Sequence, residues 1–166
     1  MLPGGYATWA PLLLANICSF PYDFVLRQKV QGQNLNWYLV EQTPLIRPEQ
    51  FQAKLGKHVI ADFVRGEVLR LSYTAWDLKS LAQDMGYEGE PFKWDDEDRR
   101  HRMARLDALF FQLYGINKDD AAYILNTFPI VRDHDEKAFG HYRTKELILA
   151  YMNAVVAGDL TTVVKA

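Results

Sequence analysis

One stretch of this chain reads as a β-strand, while helical apolar spacing fills most of the rest. A strand cannot satisfy its own edges, so this imbalance constrains the fold more than any other feature. Residues 35–40 alternate, with Leu35, Trp37 and Leu39 on one face and Asn36, Tyr38 and Val40 on the other. Pro44 and Pro48 then hold residues 43–47 extended. After Gln50 the spacing is helical throughout. Residues 58–71 carry Val59, Ile60, Phe63, Val64, Val68 and Leu71 as a broad stripe. Residues 77–85 form a short helix ended by Gly86. The longest periodic segment spans 96–114: acids from Asp95 to Asp98 offset the helix dipole at its start, and Gly115 stops it. Asn117 caps a helix running to Phe128, which Pro129 closes, and residues 143–156 form a last helix capped by Gly158, beyond which the tail is expected to fray. Ahead of the strand, residues 1–6 read as a loop and residues 11–20 as a helical turn or two. Pro21 ends that segment or opens the helix of residues 22–30, which Gly32 breaks.

The fold class expected is therefore α+β and predominantly helical. A small, partial β region lies near the N-terminus and a C-terminal helical bundle follows, divided as residues 1–48 and 49–166. Either further strands come from residues 43–47, or part of the sheet belongs to a longer polypeptide. With 166 residues the chain holds about one domain. Hydrophobic residues at 49% exclude disorder as the main state. A formal charge of -2 leaves no global basic field for nucleic acid, so any such contact rests on a local patch. The single cysteine, Cys18, excludes an internal disulfide, and it sits in an apolar run that reads as buried. No apolar run approaches a membrane span and the N-terminus does not read as a signal peptide, so no membrane partner and a cytoplasmic location are expected.

Catalytic signals are weak. His58, His101, His134 and His141 have no metal-ligand spacing, and no catalytic residue or metal site is expected. Asp133, Asp135 and Glu136 read as a solvated turn between helices. No glycine-rich loop fits a nucleoside cofactor. The most unusual segment runs from Arg27 to Gln42, where Arg27 and Lys29 precede Gln31, Gln33, Asn34 and Asn36. Cations contact phosphates and side-chain amides pair with adenine edges, so this composition can serve DNA, but on composition alone it better suits a polar loop whose amides cap helices and a strand end.

At this segment the chain resembles a known family. The run Asn16-Ile17-Cys18-Ser19-Phe20-Pro21-Tyr22-Asp23-Phe24-Val25-Leu26-Arg27-Gln28-Lys29-Val30, followed by Gly32, Leu35-Asn36 and Glu41-Gln42-Thr43-Pro44, is similar to the stretch closing the target-recognition region of large N6-adenine DNA methyltransferases. These are restriction-modification or phage-defence proteins. A second stretch resembles their helical C-terminal portion: Leu106-Asp107-Ala108-Leu109, Leu113-Tyr114-Gly115-Ile116, the run from Tyr123 to Val131, and Tyr142-Arg143-Thr144-Lys145. Pro21 departs from the pattern, since relatives more often carry an apolar or aromatic residue there.

The resemblance implies methyl transfer from S-adenosylmethionine to adenine N6 in duplex DNA, by a catalytic domain with an Asn/Asp-Pro-Pro-Tyr/Phe motif that this chain lacks. It therefore implies a recognition and scaffold fragment, with no cofactor of its own and with the methyltransferase domain as partner in cis or in trans. Arg27 and Lys29 become phosphate anchors. Gln31, Gln33 and Asn34 become groove or backbone contacts, Asn36 organises the strand or touches DNA, and Arg143 and Lys145 form a second basic spot. The rival expectation is a helical protein-interaction domain without nucleic-acid contact, whose cations pair with Asp23 or Glu41.

Overall fold

The structure, a computed structural model, describes residues 6–30, 32 and 34–165. In chain order the helices are α1 (Tyr6–Ile17), α2 (Phe20–Lys29), α3 (Trp37–Glu41) and α4 (Pro48–Phe51). After a hairpin of β1 (Lys54–Leu55) and β2 (His58–Val59) come α5 (Ile60–Ser72), a 3₁₀ turn (Trp76–Leu78) and α6 (Lys79–Asp84). The bundle is completed by α7 (Asp96–Leu113), α8 (Lys118–Asn126), α9 (Pro129–Phe139) and α10 (Arg143–Val156). The molecule is predominantly helical, with one minimal sheet among the described residues.

Local chemistry sets several boundaries. The Asp95 carboxylate accepts from the amides of Glu97 and Asp98 at 3.0 and 2.9 Å and so caps α7. Asn117 caps α8 in the same way through Asp120 N–H at 2.9 Å. Pro129 occupies the first turn of α9, where its missing N–H costs nothing, and Gly140 ends that helix with φ 81°.

Packing is organised around α7. Eight consecutive residues, from Ala104 to Phe111, are buried, so this helix is covered on every side. Helix α10 lies along one flank and brings Leu147, Ile148, Tyr151 and Val155 into the core. Helices α5 and α2 cover other flanks, and α1 packs outside α5 through Leu12 and Ala15. A smaller aromatic cluster of Tyr73, Tyr87 and Phe92 closes the edge near α6.

Six readings need correction. Residues 37–41 form α3 rather than a strand: with no partner strand, the helix satisfies the backbone locally, as in the bond from Leu39 N–H to Asn36 carbonyl at 3.0 Å. The β pairing lies instead at Lys54↔Val59 and Leu55↔His58, inside the region read as wholly helical. Pro129 opens a helix rather than closing one, and the acids of 133–136 lie on α9, where buried Asp135 accepts from Thr144 N–H at 2.5 Å. Cys18 is exposed, not core. The tail is held: Leu160 is buried, and Asp159 accepts from the amides of Thr161 and Thr162. The loop expected at 1–5 lies outside the described residues, and Tyr6 already begins α1.

Gly56 ties the hairpin to that tail. Its φ of 57° is left-handed, and a Cβ there would collide with the Gly158 carbonyl oxygen. Gly115 shares the left-handed conformation (φ 72°) but faces open space. Gly56→Ala should therefore cost about 1–3 kcal/mol in urea unfolding and release the tail to proteolysis. Gly115→Ala should cost about 1 kcal/mol and leave the tail protected. Equal losses with equal protection would show that the two backbones do not meet.

Candidate functional site

The polar segment between α2 and α3 is built from cations already engaged within the chain. Arg27 stands one turn after Asp23 on α2, and its Nε and Nη2 reach that carboxylate at 3.0 and 2.8 Å. Its guanidinium also lies 4.7 Å from the centre of the Phe128 ring. Lys29 donates to the Gln42 carbonyl, which links the end of α2 to the end of α3. Asn34 is exposed, and Asn36 is exposed at the N-cap of α3 without a side-chain cap bond. Gln31 and Gln33 lie outside the described residues. Beside the two asparagines, Trp37 is 72% exposed and Tyr38 is exposed as well; Trp37 Nε1 donates to Glu41 at 2.7 Å. The surface here is thus amide and aromatic in character, with Arg27 paired to Asp23 and Lys29 held by a backbone carbonyl.

Arg143 and Lys145 open α10, away from that segment in the chain. Arg143 pairs with Glu97 on α7 and lies 4.9 Å over the Phe139 ring. Its hydrogen bond is the main cause holding the Glu97 carboxyl below the usual range. Lys145 donates to Asn126 Oδ1 at 2.9 Å. Both side chains brace helix junctions.

Sequence reasoning missed two features on α1. The first is its outer face. No residue of α1 is charged, and Trp9, Leu13 and Ile17 follow one another at helical spacing while remaining exposed, Leu13 at 48%. The twelve uncharged residues were the available signal. Leu45, also exposed, follows the 44–46 backbone that Asn16 and Tyr114 anchor: Asn16 Oδ1 accepts from Ile46 N–H and Tyr114 donates to Pro44 carbonyl. Exposed apolar faces of this kind are candidate contact surfaces.

The second feature is a groove of about 470 Å³ between α1, α5 and α7. Its walls include Leu14, Phe20, Val68, Leu71, Met103 and Val131, and Cys18 stands on its lining. Asp107 also lines it, with 8% exposure, and accepts from Phe20 N–H at 3.0 Å. Ser19 is the N-cap of α2 yet makes no side-chain cap bond, so Asp107 caps that helix from α7 instead. Burial raises the Asp107 carboxyl to about 7, against the lowering effect of the Phe20 amide. Partial burial, and then the nearby Asp107 charge, raise the Cys18 thiol.

Asn126, in the run nearest to a catalytic Asn-x-x-Pro, spends its Oδ1 on Lys145, and Thr127 donates to Ile124 carbonyl at the end of α8. No cluster of metal-ligating side chains occurs among the described residues, and no single described helix is long and apolar enough to cross a membrane. Comparison with family models, curated proteins and solved structures gives no match to this chain.

Because the folded carboxyl of Asp107 titrates above its unfolded value, the native state binds this proton more tightly. The contribution is fully present below about pH 4 and is lost as pH rises toward about 7. Wild-type stability relative to Asp107→Asn should fall by about 2–3 kcal/mol between pH 5 and pH 8 in urea titrations. A difference independent of pH would mean an ordinary, solvated carboxylate.

Proposed function

We propose that this chain is the DNA-recognition and scaffold portion of an S-adenosylmethionine-dependent N6-adenine DNA methyltransferase of the restriction-modification type, without the catalytic domain. The observation that carries the reading is the exposed, uncharged face of α1, which sits just before the stretch that resembles the end of a target-recognition region. An enzyme that flips an adenine out of the duplex must hold the surrounding DNA and its own domains in register, because flipping costs a few kcal/mol. In this reading α7 and the helices around it are the scaffold, α1 packs on the methyltransferase domain in cis or in trans, and Asn34, Asn36, Trp37 and Tyr38 are the part that approaches duplex DNA. Arg27 and Lys29 shape that surface by their internal contacts more than by charge, while Arg143 and Lys145 brace the helices behind it.

One observation favours a second reading, a helical protein-interaction domain with no nucleic-acid contact. Arg27 pairs with Asp23, and the other three candidate cations each have a partner within the chain.

The test is reconstitution. The chain is co-produced with a catalytic N6-adenine methyltransferase polypeptide of this kind that lacks its own C-terminal helices, and genomic N6-methyladenine is measured by mass spectrometry. The proposal expects the chain to raise methylation at least about tenfold, and Leu13→Asp with Ile17→Asp to abolish the gain, since burying two unpaired charges costs several kcal/mol. A stable complex without any gain in methylation would favour the interaction domain. Neither complex nor methylation would overturn both readings.

A further inference from the structure

We propose that the groove between α1, α5 and α7 receives a lysine side chain from an apolar segment of the polypeptide that packs on α1, with the ammonium seated on Asp107. The inference rests on the docking role of α1 given above, but on different atoms.

Three observations carry it. The groove holds about 470 Å³ and its walls are alkyl and aromatic, which suits a side chain with a long methylene stem and its apolar neighbours. Asp107 is more than nine-tenths buried on that lining; its Oδ1 takes the Phe20 amide, and among the described residues no donor meets Oδ2. That oxygen is not among the buried atoms without a partner, so it keeps solvent contact on the groove lining and is open to a cation that brings its own donor. Arg100, the cation on the same lining, does not serve Asp107: it donates to the Asp96 carbonyl and to Glu97 and lies over Phe139. The charge complement is thus open to an outside group.

The free acceptor also selects the cation. A guanidinium binds a carboxylate best through two parallel bonds, which would need both oxygens. With one oxygen committed to the helix cap, a single-point donor fits, and lysine is the side chain that carries one on an aliphatic stem.

Cys18 makes the site measurable, since it is the single cysteine of the chain and lines the groove. Its alkylation by iodoacetamide is followed at fixed pH 8 with three probes at equal millimolar concentration. These are acetyl-Leu-Ala-Lys-Ala-Leu-amide, the same peptide with norleucine for lysine, and n-butylamine. The expected result is that the lysine peptide slows alkylation about threefold more than the norleucine peptide, a difference worth under 1 kcal/mol. The difference should vanish in Asp107→Asn, which can still accept from Phe20.

The comparison of the two peptides on the wild type stands even if that variant does not fold. Equal slowing by both peptides, or by neither, would overturn the lysine assignment. Protection by n-butylamine equal to that by the lysine peptide would assign the groove to a free amine and overturn the peptide occupant. These readings use the chain alone and involve no α1 substitution, so they stand or fall separately from the reconstitution test.

Discussion

Helix α7 has no solvent face through two turns of its C-terminal half, and the remaining architecture answers that constraint. From Ala104 to Phe111 every side chain needs a neighbour, which α10, α5 and α2 supply. Removing an aromatic from this stretch would typically cost about 3–5 kcal/mol, a large share of a domain's net stability. Two of the eight residues are charged, Arg105 and Asp107, and burying charge without a partner is costly. Their partners therefore fix which helices lie where.

Arg105 turns toward α5 and α10. Its Nη1 lies 3.9 Å from Glu67, its Nη2 donates to the Tyr151 hydroxyl at 3.3 Å, and His101 meets the same hydroxyl at 2.8 Å. Arg102 adds a closer pair with Glu67 at 2.7 Å and another with Asp98. Burial nevertheless raises the Glu67 carboxyl, so these arginines offset desolvation incompletely. Asp107 faces the other way and holds the first amide of α2. That single bond orients the helix bearing Asp23, Arg27 and Lys29, and so sets the place of the segment that resembles a recognition region. The groove beside it follows from the same placement.

Much of the helical body was legible in the sequence because its ends carry their own chemistry. Asp95, Gly115, Asn117 and Gly158 mark boundaries that hold to within a residue or so, and α10 has the expected bounds. The strand reading of 35–40 failed because six alternating residues fit a short helix as well, and the deciding fact, the lack of a neighbouring strand, is tertiary. The hairpin was hidden in its two-residue Gly56-Lys57 connection inside an otherwise helical pattern. Pro129 was ambiguous between stop and first turn. Cys18 shares an apolar run with buried Leu12 and Ala15, but the packing of α1 buries those two and leaves Leu13, Ile17 and Cys18 exposed, Cys18 at the groove. Of the candidate site, composition located the cations; whether they were free depended on Asp23, Gln42, Glu97 and Asn126, whose approach periodicity does not report.

The central claim is that this chain organises its surroundings by apolar packing while Arg27, Lys29, Arg143 and Lys145 are spent on its own fold. Fluorescence anisotropy with a labelled mixed-sequence duplex tests it most directly, at about 20 mM and about 200 mM salt, comparing wild type with Arg27→Ala, Lys29→Ala. The account predicts weak binding at the lower salt, little or none at the higher, and the same result for the double variant. Tight, salt-sensitive binding that disappears in the double variant would contradict it and return the grip on DNA to those two side chains.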